Sequence, residues 1–470
     1  MCNPYIFSAS WYFQLTYAGE SVGLRNLPKI SVIGTGYVGL CTAVGFASKG
    51  YNVLACDVDG EKIAKINQGI ATFYEPGLAE KLSESIQNGH LKGVIGQTDR
   101  VISETDLTFV AVGTPSKPDG SIDLKYIESA AGNIGKALKK KDAYHSTIIK
   151  STVVPGTTQN TVKPILEKKS GKVAGKDFGL CMNPEFLRQG SAFQDTVNAE
   201  RVVIGSFDTR SGDVLEDLYK GFYSEHVPAI IRTSLSTAEL IKYASNSMLA
   251  TKISFINTIA NMCEKIPGAD VKVVAKAMGL DKRIGPLFLD AGLGYGGSCF
   301  PKDVKALIAC SKSLGYDPVV LDSVEAVNKT QPLKAVTFCR EELGGLEGKS
   351  IAILGLAFKP DTDDMREARV IPIINQLLCE GASVTAYDPV AAPIAKTIFN
   401  DKINYAKSAF ECIKNADACI LVTEWEEFKK LTPEDFTKNM KQPILIDGRR
   451  IYDPETFKTK MRFVALGLGK

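Results

Sequence analysis

Short apolar runs alternate along the chain with longer segments of helical period. Residues 29–33 read as a short buried strand, followed by a glycine-rich turn and an apolar, small-residue helix over 40–48. Residues 52–56 form the next strand, which ends in Asp57. Further strands are expected at 106–112, 147–149, 178–181 and 201–205, the last closing the first sheet. From about residue 236 to 263 the period is helical without a break, and Glu239, Lys242 and Asn246 share one face at i, i+3 and i+7. A second helical segment covers 270–278. Strand–helix alternation resumes near Lys349, with strands at 350–354 and 383–388, strands four and five at 418–423 and 443–448, and 361–367 opening a helix. The pattern predicts an α/β protein of two doubly wound parallel-sheet domains joined by a central helical segment with one long helix. The expected boundaries are an extension at 1–27, a first α/β domain at 28–232, a central helical domain at 233–335 and a second α/β domain at 336–470.

Composition narrows the class. A chain of 470 residues is too long for one core, and 44% hydrophobic with 23% charged residues is the balance of a soluble globular protein. A net charge of +3, with no basic block beyond Lys139-Lys140-Lys141, gives no footprint for nucleic acid. Eleven cysteines without CxxC pairs and three histidines argue against a metal site or a disulfide framework, and point to a reducing compartment, the cytoplasm. No uncharged apolar run reaches membrane-spanning length, so no membrane partner is expected. Residues 1–27 are aromatic-rich (Tyr5, Phe7, Trp11, Tyr12, Phe13, Tyr17) and carry no Lys or Arg before Arg25, which does not suit a secretory signal. A mis-set start, a tail and a docking arm all fit that segment.

The candidate chemistry sits at strand ends and in one loop. Gly34-Thr35-Gly36-Tyr37-Val38-Gly39 lies between strand and helix, with Asp57 ending the following strand. This is the dinucleotide fingerprint of a Rossmann-like unit. Gly34 suits the tight turn, Gly36 the close approach of a pyrophosphate and Gly39 helix–strand packing. Asp57 is placed to bind both ribose hydroxyls, which favours NAD. Gly113-Thr114-Pro115 and Thr152 fall at strand carboxyl ends, the ligand-facing edge of such a sheet. Glu185 is a candidate general base, although a solvated loop carboxylate would look the same. Lys242 and Asn246 could meet a ligand from one helix face. In Gly294-Tyr295-Gly296-Gly297-Ser298-Cys299-Phe300-Pro301-Lys302-Asp303, a thiol follows a flexible turn, and Lys302 three residues on would favour the thiolate nucleophile. A glycine-rich turn around a small buried cysteine fits that stretch equally well. The second α/β domain lacks GxGxxG, so it is expected to hold something other than the dinucleotide.

Taken in order, these motifs, with Tyr74-Glu75-Pro76-Gly77-Leu78, Lys150-Ser151-Thr152, Asn183 to Arg188 and Gly355 to Arg366, resemble the nucleotide-sugar 6-dehydrogenases of the UDP-glucose/GDP-mannose dehydrogenase family over roughly residues 28–460. The Gly-Gly-Ser-Cys-Phe-Pro-Lys-Asp wording is similar to the branch acting on UDP-glucose. The resemblance implies a four-electron oxidation of UDP-glucose at C6 with two NAD reduced, through a thiohemiacetal and a thioester on Cys299. It implies that Lys242 and Asn246 stabilise the oxyanion, that Asp303 and Thr152 orient water and the 6-hydroxyl, and that Glu185 is the base for hydrolysis. NAD contacts would come from the fingerprint residues Gly34 to Gly39, Tyr37 and Val38 included, and from Asp57, Lys62, Thr114, Thr152, Gln189, Lys302 and Arg366. Substrate contacts would come from Glu185, Phe186, Leu187, Arg188, Lys242, Asn246, Phe288, Leu289, Asp290, Ala291, Gly292, Gly296 and Lys359. Arg283 would reach the substrate of a neighbouring subunit, which implies a homodimer or a multiple of dimers. Two positions depart from the family's usual wording: Gln189 stands where Glu is usual, and Pro155 is shifted by one in Val154-Pro155-Gly156. An amide keeps hydrogen bonds but loses charge. A 6-dehydrogenase of GDP-mannose or a UDP-hexosamine, and a catalytically silent NAD or sugar-nucleotide sensor, are the alternative readings.

Overall fold

The computed structural model describes residues 27–469, so the expectations for the extension before Leu27 lie outside the described residues. Eight strands form the first sheet: β1 (Ile30–Ile33), β2 (Val53–Asp57), β3 (Leu91–Ile95), β4 (Leu107–Val110), β5 (Ser146–Ile149), β6 (Gly179–Met182), β7 (Arg201–Ser206) and β8 (Ala229–Thr233). Their spatial order is β3-β2-β1-β4-β5-β6-β7-β8. β1, β4, β5 and β6 are buried at every position, as strands covered by helices on both faces must be, which is why they read as unbroken apolar runs. The sheet is parallel except between β6 and β7, which pair antiparallel. β7 does not close it, contrary to the sequence reading. β8 pairs with β7 and takes the edge. Its Ala-Ile-Ile-Arg-Thr sequence is only partly buried, so it lacked the core-strand pattern.

The second sheet comprises β9 (Ser350–Leu354), β10 (Ser383–Tyr387), β11 (Asn404–Tyr405), β12 (Ala418–Leu421), β13 (Ile444–Asp447) and β14 (Arg462–Ala465), all parallel, in the order β11-β10-β9-β12-β13-β14. Counted from its own first strand this is 3-2-1-4-5-6, the doubly wound order whose ligand crevice lies at the carboxyl ends of the central strands. The helix expected to open at 361–367 is instead a loop, and the helix begins at Val370. Asp361 and Glu367 have φ of 61° and 51°, outside the helical region. Side chains take over the backbone bonding there: Thr362 Oγ1 accepts from Asp364 N, and Asp364 Oδ1 accepts from Arg366 N.

Between the sheets runs the central helix, Leu235–Cys263, of 29 residues. Ser234 caps it by accepting from Thr237 N. Its first half buries Ala238 against the core of the first sheet, and its second half buries Ile256, Ala260 and Cys263 in the core of the second. One rigid element therefore spans both domains, and Lys242 and Asn246 lie in its first half, on the way from one to the other.

Candidate active site

At the end of β1 the chain turns through Gly34 at φ +94°, where a Cβ would meet the Ala111 carbonyl oxygen at 2.6 Å. A Cβ on Gly39 would come within 1.8 Å of the Gly34 carbonyl oxygen, so the helix Tyr37–Ser48 can pack here only without one. Gly36 is different: nothing lies within 4 Å of its Cβ position, and no side chain caps the helix there. An open cradle of free amides at a helix N-terminus suits a pyrophosphate. Asp57 ends β2 and accepts from Thr35 N (2.7 Å), Thr35 Oγ1 (2.8 Å) and Asp59 N (3.1 Å). Burial opposes its charge, but these donors and Lys62 outweigh it and hold the carboxyl below the usual range. The set fits NAD: amides for the diphosphate and an ionised carboxylate for a ribose. Thr114 and Thr152 stand at the carboxyl ends of β4 and β5, on the same edge.

Cys299 occupies the N-cap of the helix Phe300–Ser313. Its sulfur opens onto a cavity of about 570 Å³ also lined by Glu185, Phe186, Leu187, Arg188, Lys242, Asn246 and Phe288. Lys242 Nζ pairs with Glu185 Oε1 at 3.0 Å, the two side chains being 4% and 7% exposed. Glu185 Oε2 accepts from Leu187 N at 2.6 Å. Burial would neutralise both partners, but each outweighs it for the other. Lys242 pulls the Glu185 carboxyl below its ordinary value, and Glu185, Asp303 and Cys299 raise Lys242. The pair is therefore ionic at neutral pH. Asn246 Nδ2 donates to Asp303 Oδ2 at 2.6 Å, which fixes the amide beside the sulfur's helix.

The expected activation of Cys299 by Lys302 is not found. Lys302 Nζ is spent on Asp303 Oδ1 at 2.6 Å. Cys299 is exposed at the cavity, while protein packs behind it. Burial, and then the Glu185 charge, push the thiol above its ordinary value despite the counter-pull of Lys242. The resting group is a thiol, and the ammonium nearest to it in effect is Lys242, 57 residues away in sequence from Cys299.

Other expected contacts are distributed unevenly. Of Phe288 to Gly292, Phe288 lines the cavity, whereas Leu289 and Ala291 are buried in the second domain's core and Asp290 is exposed. Gly292 donates its N–H to Asn257 Oδ1 and leaves no room for a Cβ against Arg449. A Cβ on Gly296 would meet the Glu367 carbonyl oxygen at 2.5 Å, so this glycine lets the cysteine loop dock on the second domain. Lys359 donates to the Gln189 carbonyl, and Gln189 Nε2 donates to Thr362 Oγ1 at 2.9 Å, joining the two domains next to the Glu185 loop. Arg366 lies bidentate on Asp364. Arg283 is 89% exposed and paired with Asp281 of its own turn. The sequence reading gave no role to Glu75, yet it is buried and accepts from both Tyr37 Oη and Gly190 N, tying the fingerprint helix to the Glu185 loop. Lys150, in the same cavity, was quoted only as part of a motif.

A dinucleotide cradle and a cysteine beside a buried lysine–glutamate pair, set on two doubly wound domains, define a nucleotide-dependent dehydrogenase. Family models of the UDP-glucose/GDP-mannose dehydrogenase family match the NAD binding domain at residues 28–223, the central domain at 236–330 and the UDP binding domain at 352–454. UDP-glucose 6-dehydrogenase AglM of Haloferax volcanii is 44% identical over 424 residues, covering 90% of this chain and 97% of that one. UDP-glucose 6-dehydrogenase TuaD of Bacillus subtilis is 43% identical over 430 residues, covering 91% and 90%. Among solved structures, a UDP-glucose dehydrogenase from Pyrobaculum islandicum aligns with TM-score 0.88 at 37% identity, covering 96% of this chain and 100% of that one. A UDP-D-ManNAc dehydrogenase from Pyrococcus horikoshii aligns with TM-score 0.82 at 28% identity, covering 93% and 99%. The chain belongs to the UDP-glucose/GDP-mannose dehydrogenase family and is an NAD-dependent oxidoreductase.

Proposed function

We propose that the chain oxidises UDP-glucose at C6 to UDP-glucuronate in two steps, with Cys299 holding the intermediate. The observation that carries this reading is the single cavity onto which the Cys299 sulfur, the Lys242–Glu185 pair and Asn246 all open. NAD, when bound, accepts the hydride of each oxidation. Thr152 and Asp303 orient the 6-hydroxyl and water, and Lys242 with Asn246 holds the substrate oxygen. Cys299 Sγ bonds to the aldehyde carbon while its proton passes to the carbonyl oxygen, giving a thiohemiacetal. Loss of a second hydride from that carbon, and of the hydroxyl proton, leaves a thioester on Cys299. Lys242 then faces the oxyanion that forms as water adds. Glu185 takes a proton from that water, the carbon–sulfur bond breaks, and the sulfur recovers a proton as the carboxylate leaves. Lys302, Arg366 and Gln189 are assigned to NAD, and Lys359 to the diphosphate: the Cys299 charge acts on both Lys359 and Arg366, Lys302 lies three residues past Cys299, and Lys359 donates to Gln189. The recovered sequence similarity to UDP-glucose 6-dehydrogenases supports the choice of sugar.

A homodimer is part of the reading. Leu240, Met248, Phe255, Met262 and Ile266 are large, apolar and exposed along or just beyond the central helix, and Val273 and Leu280 extend the patch. A stripe of that size is what a second copy of the helix would cover. Arg283, exposed beside it, would then reach the neighbouring site. Ten free cysteines among the described residues suit a reducing compartment, and we place the protein in the cytoplasm. Purified protein with excess NAD should release two NADH per UDP-glucose, and Cys299→Ala should form no glucuronate. Turnover with GDP-mannose or a UDP-hexosamine in place of UDP-glucose would keep the chemistry and move the substrate. NAD binding without turnover of any sugar would refute the enzyme reading.

A further inference from the structure

Lys150 is the buried cation that the reaction above leaves unused. It follows β5, is 8% exposed and lines the same cavity as Glu185 and Cys299. Its Nζ donates to Asn183 Oδ1 at 2.9 Å and lies 3.4 Å from Tyr219 Oη, both neutral acceptors. Among the described residues no carboxylate forms a contact ion pair with it; its bonds are these two, and the Phe109 ring lies 5.7 Å away. The acceptor is itself held rigidly. Asn183 Oδ1 also accepts from Tyr219 Oη at 2.5 Å, while its Nδ2 donates to the Val203 carbonyl at 2.8 Å. A buried ammonium solvated by a fixed amide, with no carboxylate of its own, is an expensive arrangement to maintain for packing alone.

Glu185 supplies the reason. Lys242 is its contact partner, yet the same ammonium is needed by the substrate oxygen. When Lys242 turns to that oxygen, Glu185 would be left as a buried lone carboxylate, take up a proton and cease to be a base. We propose that Lys150 is a positioning residue for this reaction: its ammonium, clamped on Asn183, is the standing counter-charge that keeps Glu185 ionised while Lys242 serves the oxyanion. The inference rests on the acyl-thioester reading above. The mutual influence is already visible at rest, since the Glu185 charge supports protonated Lys150 and the Lys150 charge lowers Glu185, though burial and Lys242 pull Lys150 down to about 8. Arg188, Asp195, Glu200, Tyr223 and Lys252 share the cavity with the pair, and Asp303 and Glu75 act on its neighbours Lys242 and Cys41. Lys242 comes from the central helix, Tyr219 from the helix Thr209–Tyr223 and the Cys299 thiol from the cysteine loop. The Cys41 thiol comes from the fingerprint helix, and Arg201, stacked 4.1 Å over Phe186, from β7.

The test is the pH profile of the thioester-hydrolysis step, followed in single turnovers with preformed intermediate. Lys150→Met should raise the acid limb by about one pH unit, a loss of about tenfold at the foot of the limb and much less on the plateau. Lys150→Arg should restore the limb. Asn183→Asp, nearly isosteric, gives Lys150 a carboxylate of its own and should move the limb the same way, and it decides the matter if Lys150→Met does not fold. An acid limb unmoved in Lys150→Met or in Asn183→Asp, or a loss uniform across pH, overturns the inference. Two NADH per sugar from the unmodified enzyme keeps the acyl-thioester reading independent of that outcome, and a different stoichiometry sinks the reading itself.

Discussion

Removing Lys242 should separate its two duties. In Lys242→Met the Glu185 carboxylate stays in place with its ammonium gone, at a site where the paired side chains are 4% and 7% exposed and 3.0 Å apart. Breaking a buried pair from one side costs about 3–5 kcal/mol, because the surviving charge is stranded. Lys150 remains nearby, so the lower end of that range is expected. Catalysis should suffer separately: losing a donor to a developing oxyanion lowers kcat about 10²–10³-fold. The double variant Lys242→Met/Glu185→Gln tells the two effects apart. It removes the stranded charge, so it should regain most of the lost stability while recovering none of the activity. Urea denaturation of both variants gives the first quantity, and single-turnover NADH formation gives the second. A single variant as stable as the parent would show that the pair is not the buried ionic couple described. Recovery of turnover in the double variant would remove Lys242 from the chemistry.

Other consequences follow from the same geometry. Alkylation of Cys299 by iodoacetamide should be slow at pH 7 and keep rising beyond pH 9; Glu185→Gln should speed it, because the Glu185 charge raises the thiol, and a fast reaction at pH 7 would contradict a resting thiol. His145 is fully buried, and burial followed by the Lys141 charge pushes it down to about 3. The unfolded chain therefore binds a proton that the folded one refuses between about pH 6.5 and 3. Stability should be complete above that window and fall by up to about 1.4 kcal/mol per pH unit within it, a slope that His145→Asn should flatten in acid denaturation curves. Asp57→Asn should raise KM for NAD about tenfold with little change in melting temperature, whereas Asp388→Asn should lower the melting temperature and leave KM for NAD alone; matching effects from both would deny the difference between the two strand-end acids.

What could be read from the chain beforehand was whatever a strand, a helix or a backbone turn imposes locally. Gly34, Gly36 and Gly39 are dictated by a turn and a helix start, and Lys242 and Asn246 by one helix period, so spacing revealed them. Gly296 and Gly297 are small for a reason the sequence does not carry: the Glu367 carbonyl and the Phe358 ring of another domain press on them. The loop at 361–367 looked like a helix start because acids often lead helices, but here the Asp364 carboxylate accepts from Arg366 and the Asp364 N–H donates to Thr362 Oγ1. Lys302 was credited to Cys299 through nearness in sequence, although on a helix first turn its side chain reaches the adjacent Asp303 instead. The partner that matters, Lys242, comes from the central helix, and a distance through the fold has no local signature. β3, β8, β11 and β14, the four sheet edges, escaped notice because edge strands carry short or mixed patterns.

The two sheets also explain why one chain holds two different nucleotides. Both begin with the same device, a left-handed glycine after the first strand and an aspartate at the end of the second: Gly34 at φ +94° with Asp57, and Gly355 at φ +98° with Asp388. Asp57 is half-buried and has two backbone donors and one hydroxyl, leaving lone pairs turned to solvent for a ribose. Asp388 is 3% exposed and saturated. Leu356 N, Ala357 N and Trp425 Nε1 converge on one oxygen, and Val390 N and Ala391 N on the other. The indole of Trp425 thus occupies the acceptor that a ribose would need. With that position sealed, what the second domain presents just past its first turn is Phe358 and Lys359. Lys359 donates to the Gln189 carbonyl across the boundary between the two domains. The same cradle stands in one domain as a cofactor site and in the other as the rigid footing of Lys359.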